Sequence, residues 1–213
     1  MVSPTDVVAF HAKFDTHPGD RVDLFRAIAG HVGRSASVLY PGCFVDIAPS
    51  VWFGDVQYLD MDRRAARFFG EHDAVGELLA SMRGDAGVGG APTFGFHHGD
   101  YREPLPFVDA SFDVVVSLFA GFVGEHCGGL VRPGGLLIAN NSHGDASMAS
   151  IDPRFEPVAV IVKSSGRYRI RDSGLDDFLE PKRGHPPTVD ELHELGRGIA
   201  YTKPAFAYCF RRS

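Results

Sequence analysis

The run Phe112-Asp113-Val114-Val115-Val116-Ser117-Leu118, centred on three consecutive valines, is the strongest strand signal in the chain. It is apolar without a clean polar alternation, which suits a strand covered on both faces in a parallel sheet. Working outward, shorter apolar runs predict strands over 37–40, 56–59, 93–97 and 136–139. Each is stopped or preceded by turn chemistry: Pro41-Gly42, Asp60, Gly99-Asp100 and Pro133-Gly134-Gly135. Between them, 63–82 and 118–131 read as helical. Ahead of them, helices are expected over 5–14 and 21–32, with Asp20 at the N-cap position of the second. The tail changes character, with strands expected over 156–163, 167–171 and 205–211 and one helix over 188–196. Strands that alternate with helices imply a parallel sheet, and strands in succession imply an antiparallel addition. The expected fold is α/β: a Rossmann-like, doubly wound, mostly parallel sheet with an antiparallel C-terminal edge and helices on both faces. A single domain is expected over 1–213, with a helical segment 1–34, a core 35–140 and a C-terminal region 141–213.

Composition narrows the classes of function. The chain has 213 residues, 44% of them hydrophobic and 23% charged, as in an ordinary globular protein. The 27 acidic against 21 basic residues give a formal charge of −6, which argues against a general coat for DNA or RNA. No apolar run approaches the roughly 18 residues of a membrane span. The first ten residues lack a basic segment followed by an apolar one, so a cytoplasmic protein is expected. Cys43, Cys127 and Cys209 are odd in number and far apart, which suits a reducing compartment and supplies no zinc-ligand spacing. The tempting pair His97-His98 would point to opposite faces of a strand, so no metal site is expected.

In an open parallel sheet, ligands bind beyond the carboxyl ends of the strands. The residues at those ends are Gly42-Cys43, Asp60-Met61-Asp62, Gly99-Asp100-Tyr101, Ser117-Leu118 and Asn140-Asn141. An ionised acid offers only acceptor sites and can take both hydroxyls of a ribose. Asp60 follows Gly42 by eighteen residues, close to the ~20 expected of a ribose-binding acid in a nucleotide-binding βαβ unit. Asp60 could instead cap the helix near Arg63, a task for which Asp62 is better placed. Asp100 could accept from an exocyclic amine or serve a turn. The alternating Arg167, Arg169 and Arg171 share one strand face, suited either to an anion or to keeping an edge charged.

Gly99-Asp100-Tyr101-Arg102-Glu103-Pro104-Leu105-Pro106-Phe107-Val108-Asp109-Ala110-Ser111-Phe112-Asp113-Val114-Val115-Val116-Ser117 resembles a segment of class I S-adenosylmethionine-dependent methyltransferases. Leu130-Val131-Arg132-Pro133-Gly134-Gly135-Leu136-Leu137-Ile138 is similar to that family's turn into its fifth strand. Val38-Leu39-Tyr40-Pro41-Gly42-Cys43 then falls on its first motif, and Tyr58-Leu59-Asp60-Met61-Asp62 on its second. The resemblance implies S-adenosylmethionine as cofactor and methyl transfer to a small-molecule acceptor. It implies that Gly42 and Cys43 approach the cofactor's amino-acid end, that Asp60 binds the ribose, and that Met61 lies against the adenine. Asp100 and Tyr101 would address the adenine edge, and Ser117 and Leu118 would line the sulfonium and substrate side.

This chain departs from the family at the first motif. Tyr40 stands where an acid is usual, and Phe44 and Asp46 stand where glycines are usual. Asp46 is a candidate substitute for the missing acid against the cofactor ammonium, or a capping acid ahead of Ile47-Ala48. His143, just after the fifth strand, is the candidate catalytic base. The alternative to an enzyme is a catalytically inactive, methyltransferase-like binding protein. A nicotinamide oxidoreductase would want G-x-G-x-x-G at the first turn, where this chain has Gly42-Cys43-Phe44-Val45-Asp46-Ile47.

Overall fold

A computed structural model of the chain describes residues 4–15, 17 and 19–213. Residues 1–3, 16 and 18 of the expected helical segment 1–34 lie outside the described residues. Two compact units are present, one running to Asp100 and the other Tyr101–Ser213.

The first unit opens with helices α1 (Pro4–Phe14) and α2 (Asp20–Val32). Gly19, left-handed at φ 82°, is the N-cap of α2, so Asp20 starts the helix rather than capping it. Strand β1 (Ser37–Pro41) is followed by the short α3 (Pro49–Trp52), β2 (Asp55–Asp60), α4 (Arg63–Gly70), α5 (His72–Asp85) and β3 (Thr93–His98). The sheet order is β3-β2-β1, and both pairings are parallel. Val38, Leu39 and Tyr40 in β1 and Tyr58 and Leu59 in β2 are all buried, which is why these strands lack alternation. The single helix expected over 63–82 is two helices, broken between Gly70 and His72. Asp62 caps α4 by accepting from the Arg64 N–H at 2.7 Å. Tyr58, Phe69 and Phe96 stack in sequence between the sheet and α4, with centroids 4.9 Å and then 4.5 Å apart.

The second unit contains β4 (Phe112–Ser117), α6 (Val123–Cys127), a 3-10 turn (Gly128–Leu130), β5 (Val131–Ala139), α7 (Asp145–Ile151), β6 (Phe155–Ser164), β7 (Arg167–Arg171), α8 (Asp176–Leu179), α9 (Val189–Leu195) and β8 (Ala207–Arg212). Its order is β4-β5-β8-β6-β7, with β4–β5 parallel and the β5–β8, β8–β6 and β6–β7 pairs antiparallel. The parallel α/β pattern with an antiparallel C-terminal portion is therefore as expected. The last strand, however, inserts between β5 and β6 instead of adding outside them. The arginines of β7 are exposed on the outermost strand of that series, the place where charge guards a sheet edge.

Two further expectations are corrected. Strand β5 starts at Val131, so Pro133-Gly134-Gly135 lies within its span and accompanies a register shift between Phe112 and Val114. The helix expected over 118–131 shrinks to α6 and the 3-10 turn, because Phe119 and Phe122 take left-handed backbone at φ 63° and 56°.

Arg83 of α5 is buried and forms no ion pair with an acid among the described residues. It bonds carbonyls instead: Nε to Gly90 (2.9 Å), Nη2 to Gly89 (2.7 Å), and Nη1 to Ser50 (2.8 Å) and Val51 (3.1 Å). It thus ties the loop before β3 to α3. Arg83→Met is expected to lower the unfolding free energy by about 3 kcal/mol, since several buried carbonyls lose a charged donor together. Urea denaturation of the two proteins measures it.

Candidate functional site

At the end of β1 the chain turns at Gly42, whose φ of +69° favours a residue without Cβ. The Gly42 N–H donates to the Leu59 carbonyl at 2.8 Å, holding the turn against the end of β2. Phe44 is also left-handed, at φ 48°, and its N–H donates to Oδ2 of Asp60 at 2.7 Å. Oδ1 of Asp60 accepts from the Asp62 N–H at 2.8 Å, and the Asp60 carbonyl accepts from the Gly99 N–H at 3.1 Å. One residue therefore joins the loops after β1, β2 and β3. An ionised carboxylate has about four acceptor sites, so two remain on Asp60 after these bonds. Beside it Met61 is 61% exposed, an apolar side chain turned to solvent at the strand end, while its carbonyl lies 3.1 Å from Nε2 of His98. Asp100 ends this unit at the carboxyl side of β3.

Asp46 is not an isolated anion. Arg21 of α2 donates through Nε to its Oδ2 at 2.7 Å, and through Nη2 to the Tyr40 hydroxyl at 2.6 Å. The Tyr40 hydroxyl lies 3.2 Å from the same Asp46 oxygen and donates to it, while Oδ1 of Asp46 accepts from the Ala48 N–H at 3.1 Å. Both expected roles, charge partner and turn acid, thus have a counterpart, but the cation is the chain's own. Burial pushes the Tyr40 hydroxyl well above its usual range, so it stays protonated and able to donate. Cys43 is buried, and burial pushes its thiol up as well, leaving only its backbone to offer a ligand.

The N-terminal helix contributes what the sequence did not signal. Phe14 packs edge-on against Phe44 at 4.8 Å, and the Arg64 guanidinium lies 4.9 Å from the Phe44 ring and 6.0 Å from that of Phe14. A cavity of about 360 Å³ opens between α1 and α4, walled by Val7, Phe10, Arg64, Arg67 and Phe68. It does not include Gly42 or Asp60.

In the second unit, the Tyr101 hydroxyl donates to the Gly121 carbonyl at 2.7 Å. Ser117 and Leu118 are fully buried, so their side chains face inward. The residue presented outward at the end of β4 is Phe119, 56% exposed and edge-on to Phe206 at 6.4 Å. After β5, the exposed His143 has its Nδ1 3.0 Å from the Ser142 hydroxyl. Among the described residues no group of three or more His, Cys, Asp and Glu is arranged to hold a metal ion, and no helix is long and apolar enough to cross a membrane.

No family model matches the sequence, and no curated protein matches it. In fold the chain is similar to the YcgJ protein from Bacillus subtilis, at 16% identity over 56% of this chain and 50% of that one, with a TM-score of 0.38. It is similar to an S-adenosylmethionine-dependent methyltransferase from Thiobacillus denitrificans, in complex with S-adenosylhomocysteine, at 18% identity over 67% of this chain and 49% of that one, with a TM-score of 0.39. The chain spans about half the length of these two proteins. It is also similar to the 1,6-didemethyltoxoflavin-N1-methyltransferase of Burkholderia thailandensis, at 14% identity over 100% of this chain and 92% of that one, with a TM-score of 0.45.

Ser117 faces a buried acid with a measurable consequence. Asp145, the first residue of α7, is fully buried and accepts from the Gly124 N–H at 3.0 Å. Burial pushes its carboxyl up to about 6, against the pull of the Ser117 hydroxyl and the Gly124 and Val123 N–H groups. A carboxyl raised in the folded state is stabilising while protonated, and that contribution disappears as pH rises through about 6. The native protein is expected to gain about 1 kcal/mol from this group between pH 7.5 and 5.5. Asp145→Asn should remove that gain, as urea unfolding of both proteins at the two pH values would show.

Proposed function

We propose that the chain binds S-adenosylmethionine at the Gly42–Asp60–Asp100 edge and transfers its methyl group to a small-molecule acceptor, the whole chain serving as one methyltransferase-like domain. Asp60 carries this reading. It locks three strand-end loops into one edge and keeps two acceptor sites for the hydroxyls of a ribose. The exposed Met61 offers an apolar face for adenine, and Asp100 with Tyr101 would address its edge. At the amino-acid end Gly42 and Cys43 supply backbone. Arg21 and Asp46 supply one charge of each sign, matching a zwitterion's carboxylate and ammonium. At Ser117 and Leu118 the backbone alone remains to line the acceptor side. The bound cofactor would supply an electrophilic methyl carbon on sulfonium. His143 would then take the proton that the acceptor must lose. Three free, buried cysteines support a cytoplasmic setting.

The Arg21–Asp46 pair and the strained Phe44 favour one second reading, a binding protein that holds the ligand without turnover. Calorimetry with S-adenosylmethionine and S-adenosylhomocysteine tests the first step, and binding without methyl transfer to any acceptor would select the second reading. Asp60→Asn, checked for folding by thermal melting, is expected to weaken binding roughly 10- to 100-fold, the weight of about 1.5–3 kcal/mol in charge-assisted bonds. No heat from either ligand, or equal affinity in that variant, would overturn the proposal.

A further inference from the structure

The hydrogen bonds after β5 determine where His143 carries its proton. The Phe119 N–H donates to Oδ1 of Asn140 at 3.3 Å, which fixes the amide with its oxygen toward the loop after β4. The Ser142 hydroxyl lies 2.9 Å from that same oxygen. A carbonyl oxygen only accepts, so Ser142 donates its one proton there. The contact between Ser142 Oγ and Nδ1 of His143, at 3.0 Å, must then be supplied by a hydrogen on Nδ1. In the neutral ring the lone pair is left on Nε2. Asn140 is well placed to anchor this chain, being 4% exposed and bonded through its N–H to the Ser117 carbonyl at 3.0 Å.

We infer that Ser142 and Asn140 are positioning residues that hold His143 as the Nδ1–H tautomer, with Nε2 as the base for an acceptor bearing a removable O–H or N–H proton. The inference rests on the proposed methyl transfer. The acceptor heteroatom forms the new bond to the methyl carbon with its lone pair, the carbon–sulfur bond breaks with its pair left on sulfur, and the acceptor's proton passes to Nε2. The positive charge thus ends on His143 rather than on the product. A thioether or tertiary amine has no proton to give and would leave this base idle, so the acceptor class is one with a proton on its nucleophilic atom, such as a hydroxyl or an N–H compound.

The tautomer can be read without knowing the acceptor. Long-range ¹H–¹⁵N spectra of the ¹⁵N-labelled full chain, recorded where the ring is neutral, should show a protonated, pyrrole-type Nδ1 and a pyridine-type Nε2 for His143. Ser142→Ala, a change at an exposed residue, should abolish that preference, and Ser142→Thr should restore it. An Nε2–H ring in the native chain, or a tautomer indifferent to Ser142→Ala, would overturn the inference whatever calorimetry of the donor site returns. An intact Nδ1–H tautomer in a chain that binds neither S-adenosylmethionine nor S-adenosylhomocysteine would strike out the base role through the proposed function instead.

Discussion

The carboxylate of Asp60 is the constraint around which the strand-end loops of the first unit are organised. Its two oxygens each take a backbone N–H, one from the loop after β1 and one from its own loop, while its carbonyl takes a third from the loop after β3. Hydrogen bonds to a charged group are worth about 1.5–3 kcal/mol each, enough to hold short loops that bury little apolar surface of their own. A neutral side chain of the same shape would satisfy one of these donors and repel the other. The same bonds keep the remaining acceptor sites of the acid in place, which is the preorganisation that the proposed binding would use.

Next to this acid the first turn carries a charge arrangement of its own. At this buried strand end Tyr40 brings a hydroxyl that burial keeps protonated. The anion of this turn is Asp46, and a guanidinium from α2 neutralises it. Both side chains are about one-fifth exposed, so the pair is partly screened and open to exchange with an incoming charge. A ligand with separated charges of both signs can replace the pair's mutual contact with two of its own. A ligand with an ammonium alone would bring Asp46 a second cation and Arg21 no new anion. Under the proposed binding, this turn would favour a ligand by its charge pattern rather than by close backbone approach.

Most strands were legible because their signal is local. Val114-Val115-Val116 or Val38-Leu39-Tyr40 can be read within a few residues, and burial on both faces removes the alternation that would otherwise mark a surface strand. Asp62 as the α4 cap was legible for the same reason. What escaped depends on distant or backbone facts. The insertion of β8 between β5 and β6 is a choice among registers that no local pattern encodes. Arg21 lies twenty-five residues from the acid it neutralises, in a stretch whose apolar spacing explains α2 without it. The loop 118–122 has an ordinary helical composition, and only two left-handed phenylalanines prevent the helix. The outward residue there is consequently Phe119, one position beyond the Ser117-Leu118 pair to which the resemblance pointed.

Those phenylalanines share a property with the first turn. Phe44 follows β1, and Phe119 and Phe122 follow β4, so three of the five non-glycine residues with positive φ among the described residues lie just past the carboxyl ends of parallel strands. Left-handed backbone costs about 1–2 kcal/mol for a residue with a Cβ, and glycine would avoid it. Aromatic packing offsets the cost in each case: Phe44 against Phe14 and Arg64, Phe119 on Phe206, and Phe122 edge-on to His193 at 5.0 Å. Glycine would relax the backbone and lose the packing that orients the loop. The chain has therefore kept rings where flexibility was the cheaper local solution, and in the second unit the backbone of one of them, Phe119, is what fixes the amide of Asn140. Strain held in place by its surroundings at strand ends is a mark of a site whose geometry matters. Here it links the shape of the loop after β4 to the proton position on His143 through two hydrogen-bonded side chains.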